Sequence, residues 1–506
     1  MGKKVNRGFF GYLFILIGIA LAFCAVCIVI MLFMPGKEIL GFSYFSAKSG
    51  KVEQTTANVY TAEGEPVLEG DKQKVVQINP NGKMLEIETL VINTDKYDVQ
   101  VLQKPTNTKS VVESISVITN TRISGFAKGK TKQATITTKY VESSKTLIVD
   151  AYAPTGFIHF ANQAKIRIEF PVEFEKDIDI KINTTSGNVV LGTSEYAENV
   201  VTTLSVDSLD ITTTSGEIST ADNFELKNVL RPSSFKTESG AINFKKPISS
   251  SKLTIQSNSR NVNFTDAVLA LAEFSFTSDT SFATFSKLTA PTINFNVKGG
   301  KIYSNSIMGK VVFSDDSNNC DFKTDSLSGS LLVGTMNQEY SKIATKTEIA
   351  IGKLSSNLGG ESSITTLGKV YIGELSTTAT IRTASGDVRV DKINAKLNIN
   401  AVSSNITLGK IQNEDGELVG KGIESKITVV CDEKATINAY FASVADGSKI
   451  TTKGTINAYF DNVDYKIAAT ANEIKLNDAK VDSPLNLGSG TKNLTLNGGN
   501  INIKTK

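Results

Sequence analysis

The sequence predicts an all-β protein: a β-solenoid, or β-helix-like stack, of rungs of about 20 residues, preceded by one N-terminal transmembrane α-helix. Three observations predict this class. An uncharged apolar run lies near the N-terminus, short segments that alternate apolar and polar residues fill the rest of the chain, and a Ser-Gly motif recurs along it. Alternation that includes β-branched residues is typical of strands, and a fixed short repeat is typical of solenoids.

The apolar run is the first element. No charged residue occurs between Gly8 and Gly36. As a helix, the stretch from Phe9 to Met34 would span about 39 Å, enough to cross a hydrocarbon layer of ~30 Å. The apolar region of a cleaved signal peptide has only ~7–15 residues. We therefore predict a retained single-pass anchor at residues 8–36, with a cleaved signal as the alternative.

The charges that flank the run predict its orientation. Lys3, Lys4 and Arg7 precede it without any acidic residue. The positive-inside rule then makes residues 1–7 a short cytoplasmic tail and places the large C-terminal region outside the cell membrane. Lys37 and Lys48 follow the run and weaken this bias. A scaffold that faces the cytoplasm is therefore the alternative.

The net charge separates the anchor from the body of the protein. The chain has 54 Lys+Arg, 51 Asp+Glu and one His, for a formal charge of +3. Without Lys3, Lys4 and Arg7, 51 basic residues face 51 acidic residues. A neutral body offers no basic field to a phosphate backbone, so we expect no nucleic-acid partner. One His cannot build a multi-His metal site.

Composition divides the exported part into three regions. Residues 37–74 contain scattered charges and several glycines and are predicted to be a linker. Residues 75–177 have alternating segments without a clear repeat, which predicts an N-terminal β region or a solenoid cap. Residues 178–506 are predicted to be the solenoid repeats. The best helix candidate after the anchor, 266–273, is too short to be told from a strand.

A Thr- and Asn-rich turn that ends in Ser-Gly carries the repeat. Clear copies lie at 183–189, 212–218, 236–242 and 382–388, and degenerate copies lie at 256–262 and 400–406. The sequence Thr-Ile-Asn-Ala-Tyr-Phe at 436–441 returns unchanged at 455–460. We predict that each Ser-Gly step is a corner at which Gly supplies a positive φ. Ile437, Ile456, Ile474 and Leu494 are expected to stack in that order, and about 15 rungs would reach about 70 Å.

One stretch resembles a known family. Residues 166–172, Ile-Arg-Ile-Glu-Phe-Pro-Val, are followed by the rung Ile-Asp-Ile-Lys-Ile-Asn-Thr-Thr-Ser-Gly-Asn-Val at 178–189. This pattern resembles the bacterial adhesin-like family of β-strand-repeat proteins, in which a strand that ends in Pro precedes rungs with a Ser-Gly-Asp/Glu corner. The likeness covers about residues 160–265 and, less closely, 380–410. It implies a membrane-anchored surface β-solenoid and carries over no catalytic or ligand residue.

The single histidine and the four cysteines are predicted to have structural roles. His159, the only His, lies in the apolar run Phe-Ile-His-Phe, which is typical of a packed residue. Cys320 and Cys431 are about five predicted rungs apart, too far for a disulfide, so both are predicted to be buried free thiols. Cys24 and Cys27 are read as small apolar residues of the anchor.

The charged motifs and the Asn-x-Ser/Thr motifs also fail to indicate a functional site. The acidic patch formed by Asp315, Asp316, Asp321 and Asp325 matches no calcium-loop spacing and is read as a solvated turn. Residues 125–131 are one residue short of a phosphate loop and are read as a basic turn. Sequence cannot pair Glu217, Asp387 and Asp391 across rungs, as a glycosidase would require. The Asn-x-Ser/Thr sites at Asn183, Asn263, Asn405 and Asn493 are read as structural.

These features predict a protein without catalytic residues, a metal site or a cofactor. We expect a membrane-anchored surface β-solenoid, an adhesin or a structural protein of the envelope, and not an enzyme. Its expected partners are the membrane, through residues 8–36, and a surface polysaccharide or a protein ligand. The alternative is a carbohydrate-active β-helix protein, similar in class to polysaccharide lyases or glycosidases.

Overall fold

The computed structural model describes residues 7–33, 38–39, 42–47, 51–52, 59–61, 67–69, 72–76, 87–103, 116–128, 135–152, 158–170, 178–192, 202–222, 224–227, 231–313, 319–335, 339–356, 360–412, 418–461 and 465–505. These residues form one long helix and many strands, and most pairings between the strands are parallel. The predicted all-β, solenoid-like class with an N-terminal helix is therefore confirmed. The chain divides into two compact units, Met1–Ser205 and Val206–Lys506, which we call unit 1 and unit 2.

The N-terminal helix, α1, spans Arg7–Phe33. Its segment Tyr12–Ile30 has a mean hydropathy of 3.2 and is long and apolar enough to cross a membrane. Large side chains such as Phe14 and Leu21 are exposed, so the helix is not covered by a protein core. The predicted apolar span is confirmed, whereas its retention as an anchor and its orientation stay predictions.

The described strands of unit 1 range from two residues in β1 to 13 residues in β9 and β12. They are β1 (Glu38–Ile39), β2 (Phe42–Ala47), β3 (Lys51–Val52), β4 (Val59–Thr61), β5 (Val67–Glu69), β6 (Lys72–Val76), β7 (Thr89–Thr94), β8 (Asp98–Gln103), β9 (Ser116–Lys128), β10 (Thr135–Val141), β11 (Thr146–Tyr152), β12 (Ile158–Phe170), β13 (Asp179–Thr184), β14 (Val189–Leu191) and β15 (Thr202–Ser205).

Unit 1 contains parallel rungs earlier in the chain than the predicted start at Ile178. Strand β7 pairs in parallel with both β11 and β13, and β8 pairs in parallel with both β12 and β14. Leu90 and Val99 in this central rung are fully buried, as its alternating pattern requires. The rung 89–103 therefore lies between two rungs that come later in the chain, an order that a search for sequential repeats does not detect.

The predicted linker at 37–74 contains strands. Strands β2 and β6 pair antiparallel with β9, and β4 pairs antiparallel with β10. The aromatic residues Phe42, Tyr44 and Phe45 supply a strand signal. The described parts of this segment are therefore strands, while the predicted domain limits themselves stay predictions.

The described strands of unit 2 run from Ser208 to Thr505. They are β16 (Ser208–Thr213), β17 (Ile218–Thr220), β18 (Phe224–Lys227), β19 (Ser233–Thr237), β20 (Ile242–Phe244), β21 (Ile248–Ser257), β22 (Val262–Ser278), β23 (Phe282–Val297), β24 (Lys301–Phe313), β25 (Asp321–Val333), β26 (Glu348–Ser355), β27 (Ser362–Thr365), β28 (Val370–Leu375), β29 (Ala379–Thr383), β30 (Val388–Ile393), β31 (Leu397–Ala401), β32 (Ile406–Leu408), β33 (Lys410–Gln412), β34 (Leu418–Lys421), β35 (Ile427–Cys431), β36 (Thr436–Phe441), β37 (Ser448–Thr452), β38 (Thr455–Phe460), β39 (Lys466–Leu476), β40 (Ala479–Val481), β41 (Leu485–Leu487) and β42 (Asn493–Thr505).

Parallel pairing in register stacks the rungs of unit 2. Ile242, Val262, Ala283, Ile302 and Phe322 follow one another across neighbouring strands and are 20, 21, 19 and 20 residues apart. The predicted period of about 20 residues is thus confirmed here. Residues 266–273, the best helix candidate, lie inside strand β22.

Aromatic side chains form a cluster in this core. Phe285 lies 5.5 Å from Phe264 on the neighbouring rung and 5.4 Å from Phe274 on another strand segment, measured between ring centroids. Phe295 continues the cluster to Phe313 at 5.1 Å. All five rings are almost fully buried. Because each ring contacts others on neighbouring rungs, the cluster ties successive rungs together.

The Ser-Gly corners require glycine because neighbouring rungs approach closely there. The prediction that these glycines adopt a positive φ was wrong. Gly187, Gly240 and Gly386 are absent from the residues with positive φ. A Cβ at Gly240 would instead lie 1.9 Å from the carbonyl oxygen of Gly216 on the preceding rung. Only glycine lets the stacked corners pack at this distance.

A threonine three residues before each glycine stabilises the same corner. The amide of Gly240 donates to Oγ1 of Thr237 at 2.8 Å, and the amide of Gly386 donates to Oγ1 of Thr383 at 2.9 Å. The corners at Gly187 and Gly216 have the same bond. The repeating unit is therefore Thr-x-x-Gly, in which the buried threonine hydroxyl supplies the local hydrogen bond.

The C-terminal rungs do not follow the predicted order. Ile456 is in register with Ile437 on one side and with Ile501 on the other, and Ile474 lies beyond Ile501. The last strand, β42, is thus inserted between β38 and β39. The mostly exposed strands β40 and β41 pair antiparallel with the outer edge of β39. These three strands cover the end of the stack, and their position explains why Leu494 is not the outermost rung.

Candidate functional site

The outer faces of unit 2 carry columns of polar side chains that bond from rung to rung. In one column, Asn457 Nδ2 donates to Asn438 Oδ1 at 2.8 Å, and Asn502 Nδ2 donates to Asn457 Oδ1 at 2.8 Å. The rings of Tyr440 and Tyr459 stack beside it, with centroids 4.4 Å apart and planes 4° apart. Asparagines in register on successive strands therefore bond to one another along the stack.

In other columns, two carboxylates each interact with more than one neighbouring side chain. Glu273 accepts from Lys252 Nζ at 3.0 Å and from Asn294 Nδ2 at 3.0 Å, and these bonds, led by that from Lys252, lower its pKa. Glu374 accepts from Ser376 and lies 3.2 Å from Lys353 Nζ. These acids are held by their neighbours on the same surface.

Tyrosine and carboxylate side chains meet across rungs at two places. Tyr371 donates to Asp391 Oδ2 at 3.0 Å, and the guanidinium of Arg389 lies 5.5 Å from the centroid of the Tyr371 ring while its Nε bonds Asp391. Tyr303 donates to Asp325 at 3.2 Å. Burial, followed by the bond to Asp391, raises the pKa of Tyr371, so the phenol stays protonated as the hydrogen-bond donor.

A polar cleft of about 580 Å³ lies at the C-terminal end of unit 2. It crosses the neighbouring strands β35, β37, β42 and β39, whose residues Val430, Thr451, Asn497 and Thr470 are successively in register. Three strand spacings make its length about 14 Å. The cleft therefore follows the outer face of the stack across four strands.

Polar side chains and glycine backbone make up much of the lining of this cleft, together with Val430 and Cys431. Asp432, Lys453, Asn472 and Asn497 line it, together with Gly498-Gly499. A Cβ at Gly499 would lie 2.3 Å from the carbonyl oxygen of Lys453, so a side chain at this corner would displace the backbone. The glycines keep the corner tight and leave the space above it open.

The cleft differs from the bonded columns because its polar groups are available. Within the described residues, no hydrogen bond or ion pair engages the side chains of Asp432, Lys453, Asn472 and Asn497. The hydroxyl oxygen of Thr451, also in the lining, is buried and has no partner. A ligand that both donates and accepts hydrogen bonds could satisfy these groups.

One aromatic side chain lies close to the cleft. Tyr340, from the short 3-10 turn Tyr340–Lys342, lies under the guanidinium of Arg382, 4.4 Å from ring centroid to Cζ. Arg382 belongs to the same outward column as Val430 and Thr451. Burial raises the pKa of Tyr340, and the negative charge of Asp432 adds to the rise. Asp432 thus connects the cleft electrostatically with this Tyr-Arg pair.

The two cysteines of unit 2 and the single histidine were predicted to be structural residues. Cys320 and Cys431 are buried and free, as predicted. Burial raises the pKa of Cys320 to about 12 and raises that of Cys431 as well, which keeps both thiols protonated and unreactive. The backbone of His159 lies in β12 opposite Gly125, where the register of the β9 pairing shifts.

The acidic patch is only partly among the described residues. Asp321 lies 3.3 Å from Lys301 Nζ, and Asp325 accepts from Tyr303. Asp315 and Asp316 lie outside the described residues. In the described part of the chain, no group of three or more His, Cys, Asp or Glu side chains is placed to hold a metal ion.

The predicted basic turn at 125–131 is wrong in its first half, because residues 125–128 lie in strand β9, paired with β2. The remaining residues, 129–131, lie outside the described ranges. The alternating apolar residues that precede this segment continue the strand through it.

The three carboxylates considered for a glycosidase site all make hydrogen bonds within the protein. Glu217 accepts from Asn243 Nδ2 at 2.7 Å, Asp387 accepts from the amide of Asn405, and Asp391 binds Tyr371 and Arg389. Of the Asn-x-Ser/Thr residues, Asn183 donates to Asn93, Asn493 donates to Asp446, and Asn263 is in register with Asn243. The structural reading of the four sites stays a prediction.

The sequence did not identify the cleft residues as a site. The Asn-Gly-Gly-Asn sequence at 497–500 is a weak signal, since two adjacent glycines indicate a corner without side chains. The decisive feature is the insertion of β42 between β37 and β39. This pairing brings Asn472 and Asn497 together with Asp432, and a search for sequential repeats does not detect it.

Comparisons with models of protein families, with curated proteins and with solved structures found no match for this chain. The resemblance to the adhesin-like family therefore stays a prediction.

Proposed function

We propose that the protein is a membrane-anchored β-solenoid of the cell envelope that acts by presenting a rigid polar surface to a ligand, without catalysis. The supporting observation is the rung-to-rung bonding of outward side chains in unit 2, of which the Asn438, Asn457 and Asn502 column is the clearest case. Such bonding fixes side chains in rows, which suits adhesion or structural support. Helix α1 supplies the anchor.

The test is the location of the large C-terminal region. A tag placed after Lys506 should be digested when a protease is added to intact cells, and the same tag fused to a cytoplasmic protein should survive. Digestion only after lysis would contradict the proposal and would favour the scaffold that faces the cytoplasm. Extraction of the protein by detergent but not by alkaline carbonate would establish that the anchor is retained.

A carbohydrate-active enzyme is the second candidate, because a carboxylate and a tyrosine of neighbouring rungs lie side by side at Asp391 and at Asp325. These carboxylates are bonded within the protein, so a bound sugar would have to replace those bonds before either could act as acid or base. This candidate predicts release of reducing ends or unsaturated products from polysaccharides and loss of that release in Asp391→Asn. Unchanged polysaccharide after prolonged incubation would remove it.

A further inference from the structure

We propose that the polar cleft of unit 2, formed by Asp432, Thr451, Lys453, Asn472, Asn497 and Gly498-Gly499, binds a neutral saccharide chain. The inference rests on the proposed function in one respect: it identifies the ligand class for the surface that the protein presents.

Size and lining define the ligand class. A volume of about 580 Å³ falls within the ~300–1,000 Å³ of small-molecule sites. Most such sites are mainly apolar with a few polar groups, whereas here about half of the lining surface is polar, with hydroxyl, amide and charged side chains beside Val430 and Cys431. An apolar ligand would leave these groups without partners, at a cost in free energy. A fitting ligand therefore presents polar groups to these side chains and apolar C–H surface to the rest of the lining.

Hydrogen-bond chemistry narrows the class to polyols. The amides of Asn472 and Asn497 each donate and accept, Asp432 accepts, and Lys453 donates. A sugar hydroxyl donates and accepts at the same time, so neighbouring hydroxyls can bond to all of these groups. Elsewhere, as at Glu273, similar groups are bonded to each other and are not available.

Charge favours a neutral chain. The lining carries one carboxylate, Asp432, and one ammonium, Lys453, so the cleft has no net charge. An anionic polysaccharide would meet Asp432, and a cationic one would meet Lys453, without a compensating excess of the opposite sign. The cleft crosses four strands, which lets an extended chain lie along the stack.

Binding of uncharged oligosaccharides to the full-length protein in detergent tests the proposal. The probes are oligomers of glucose, mannose, galactose and N-acetylglucosamine, titrated by calorimetry. We expect at least one series to bind and the double variant Asn472→Ala/Asn497→Ala to bind it at least tenfold more weakly. Asn296→Ala is the matched control, because Asn296 is exposed in the corresponding outward position of β23, away from the cleft. It should bind as the wild type does.

A second variant separates shape from charge. Asp432→Asn keeps a planar hydrogen-bonding group and removes the charge, so binding of the neutral probe should change less than threefold. Thermal unfolding of each variant must match that of the wild type, which is expected because Asn472 is exposed and Asn497 is only half-buried.

Three results would overturn the proposal: no neutral series binds, binding survives the double variant, or an anionic polysaccharide binds more tightly than every neutral one. The titration uses purified protein and does not depend on its location in the cell. A protected C-terminal tag would therefore contradict the proposed function and leave the saccharide site standing, and a failed titration would do the reverse.

Discussion

At the scale of the residue, each corner of the stack depends on one hydroxyl and one missing side chain. Thr237 is almost fully buried, and its Oγ1 is the acceptor for the amide of Gly240. Ser239, between them, donates at the exposed side to the carbonyl oxygen of Thr214 on the preceding rung. The buried bond holds the corner itself, and the exposed bond joins it to its neighbour. The buried bond should matter more, because water can replace only the exposed one.

The first prediction concerns Thr237. Thr237→Val keeps the shape and removes the acceptor, which leaves the buried Gly240 amide without a partner at a cost of about 1–3 kcal/mol. Thr237→Ser keeps the hydroxyl and should lose much less. Hydrogen exchange of the Gly240 amide, together with urea unfolding of the full-length protein, measures both effects. Equal protection of this amide in the two variants would show that the bond does not hold the corner.

The second prediction concerns the buried thiols. Burial raises the pKa of Cys320 to about 12, above its ordinary value near 9, so at pH 8 the folded protein should leave Cys320 unmodified by iodoacetamide while urea exposes it. Folding favours the protonated thiol. Its contribution to stability is therefore complete below about pH 9 and is lost as the pH rises toward about 12. Peptide mass spectrometry measures the labelling, and rapid modification of Cys320 at pH 8 without denaturant would contradict the prediction.

At the scale of the element, neighbouring strands with the same sequence place identical side chains in columns. The sequence Thr-Ile-Asn-Ala-Tyr-Phe occurs in both β36 and β38, and pairing in register places like on like. Phe441 and Phe460 stack with centroids 4.9 Å apart and planes 6° apart. The verbatim repeat is thus explained by its packing: each residue type fits best against a copy of itself one strand spacing away.

The third prediction uses the asparagine column. Asn457 makes two of the column's bonds, whereas Asn438 and Asn502 each make one. Asn457→Ala should therefore cost about 1–3 kcal/mol, roughly twice the ~0.5–1.5 kcal/mol expected for Asn438→Ala, since each bond contributes about equally. Urea unfolding of the single variants measures the ratio. If the two substitutions cost the same, the bonds do not act as a column.

At the scale of the whole molecule, the sequence predicts the strands and their repeat. It does not predict strand pairing where the order of the strands in the chain differs from their order in the stack. The helix, the strand class, the period of about 20 residues and the buried cysteines follow from local patterns, which sequence displays directly. The rung at 89–103, the insertion of β42 and the cleft around Asn497 depend on pairing between distant segments. The sequence predicts the corner glycines correctly but assigns them a positive φ. A positive φ and a close approach of the backbone both require glycine, so the sequence alone does not distinguish them.

The fourth prediction concerns the C-terminal end of the stack. Strand β39 presents one edge to β42 and the other to β40 and β41, so the latter two cover what would otherwise be an open edge. Replacing residues 479–487 with a Gly/Ser segment of equal length should expose the N–H and C=O groups of β39 and cause concentration-dependent self-association. Sedimentation velocity in detergent measures this change.

The matched control replaces Leu418–Lys421 of β34 in the same way. Strands β33 and β34 form a separate two-stranded sheet, so their loss leaves the edge of β39 covered and should not alter the oligomeric state. Association of both variants would indicate general unfolding, and association of neither would mean that β40 and β41 do not protect the stack. Because β39 also supplies Asn472 to the cleft, the first variant should lose saccharide binding as it self-associates, whereas the control should keep saccharide binding and the oligomeric state of the wild type.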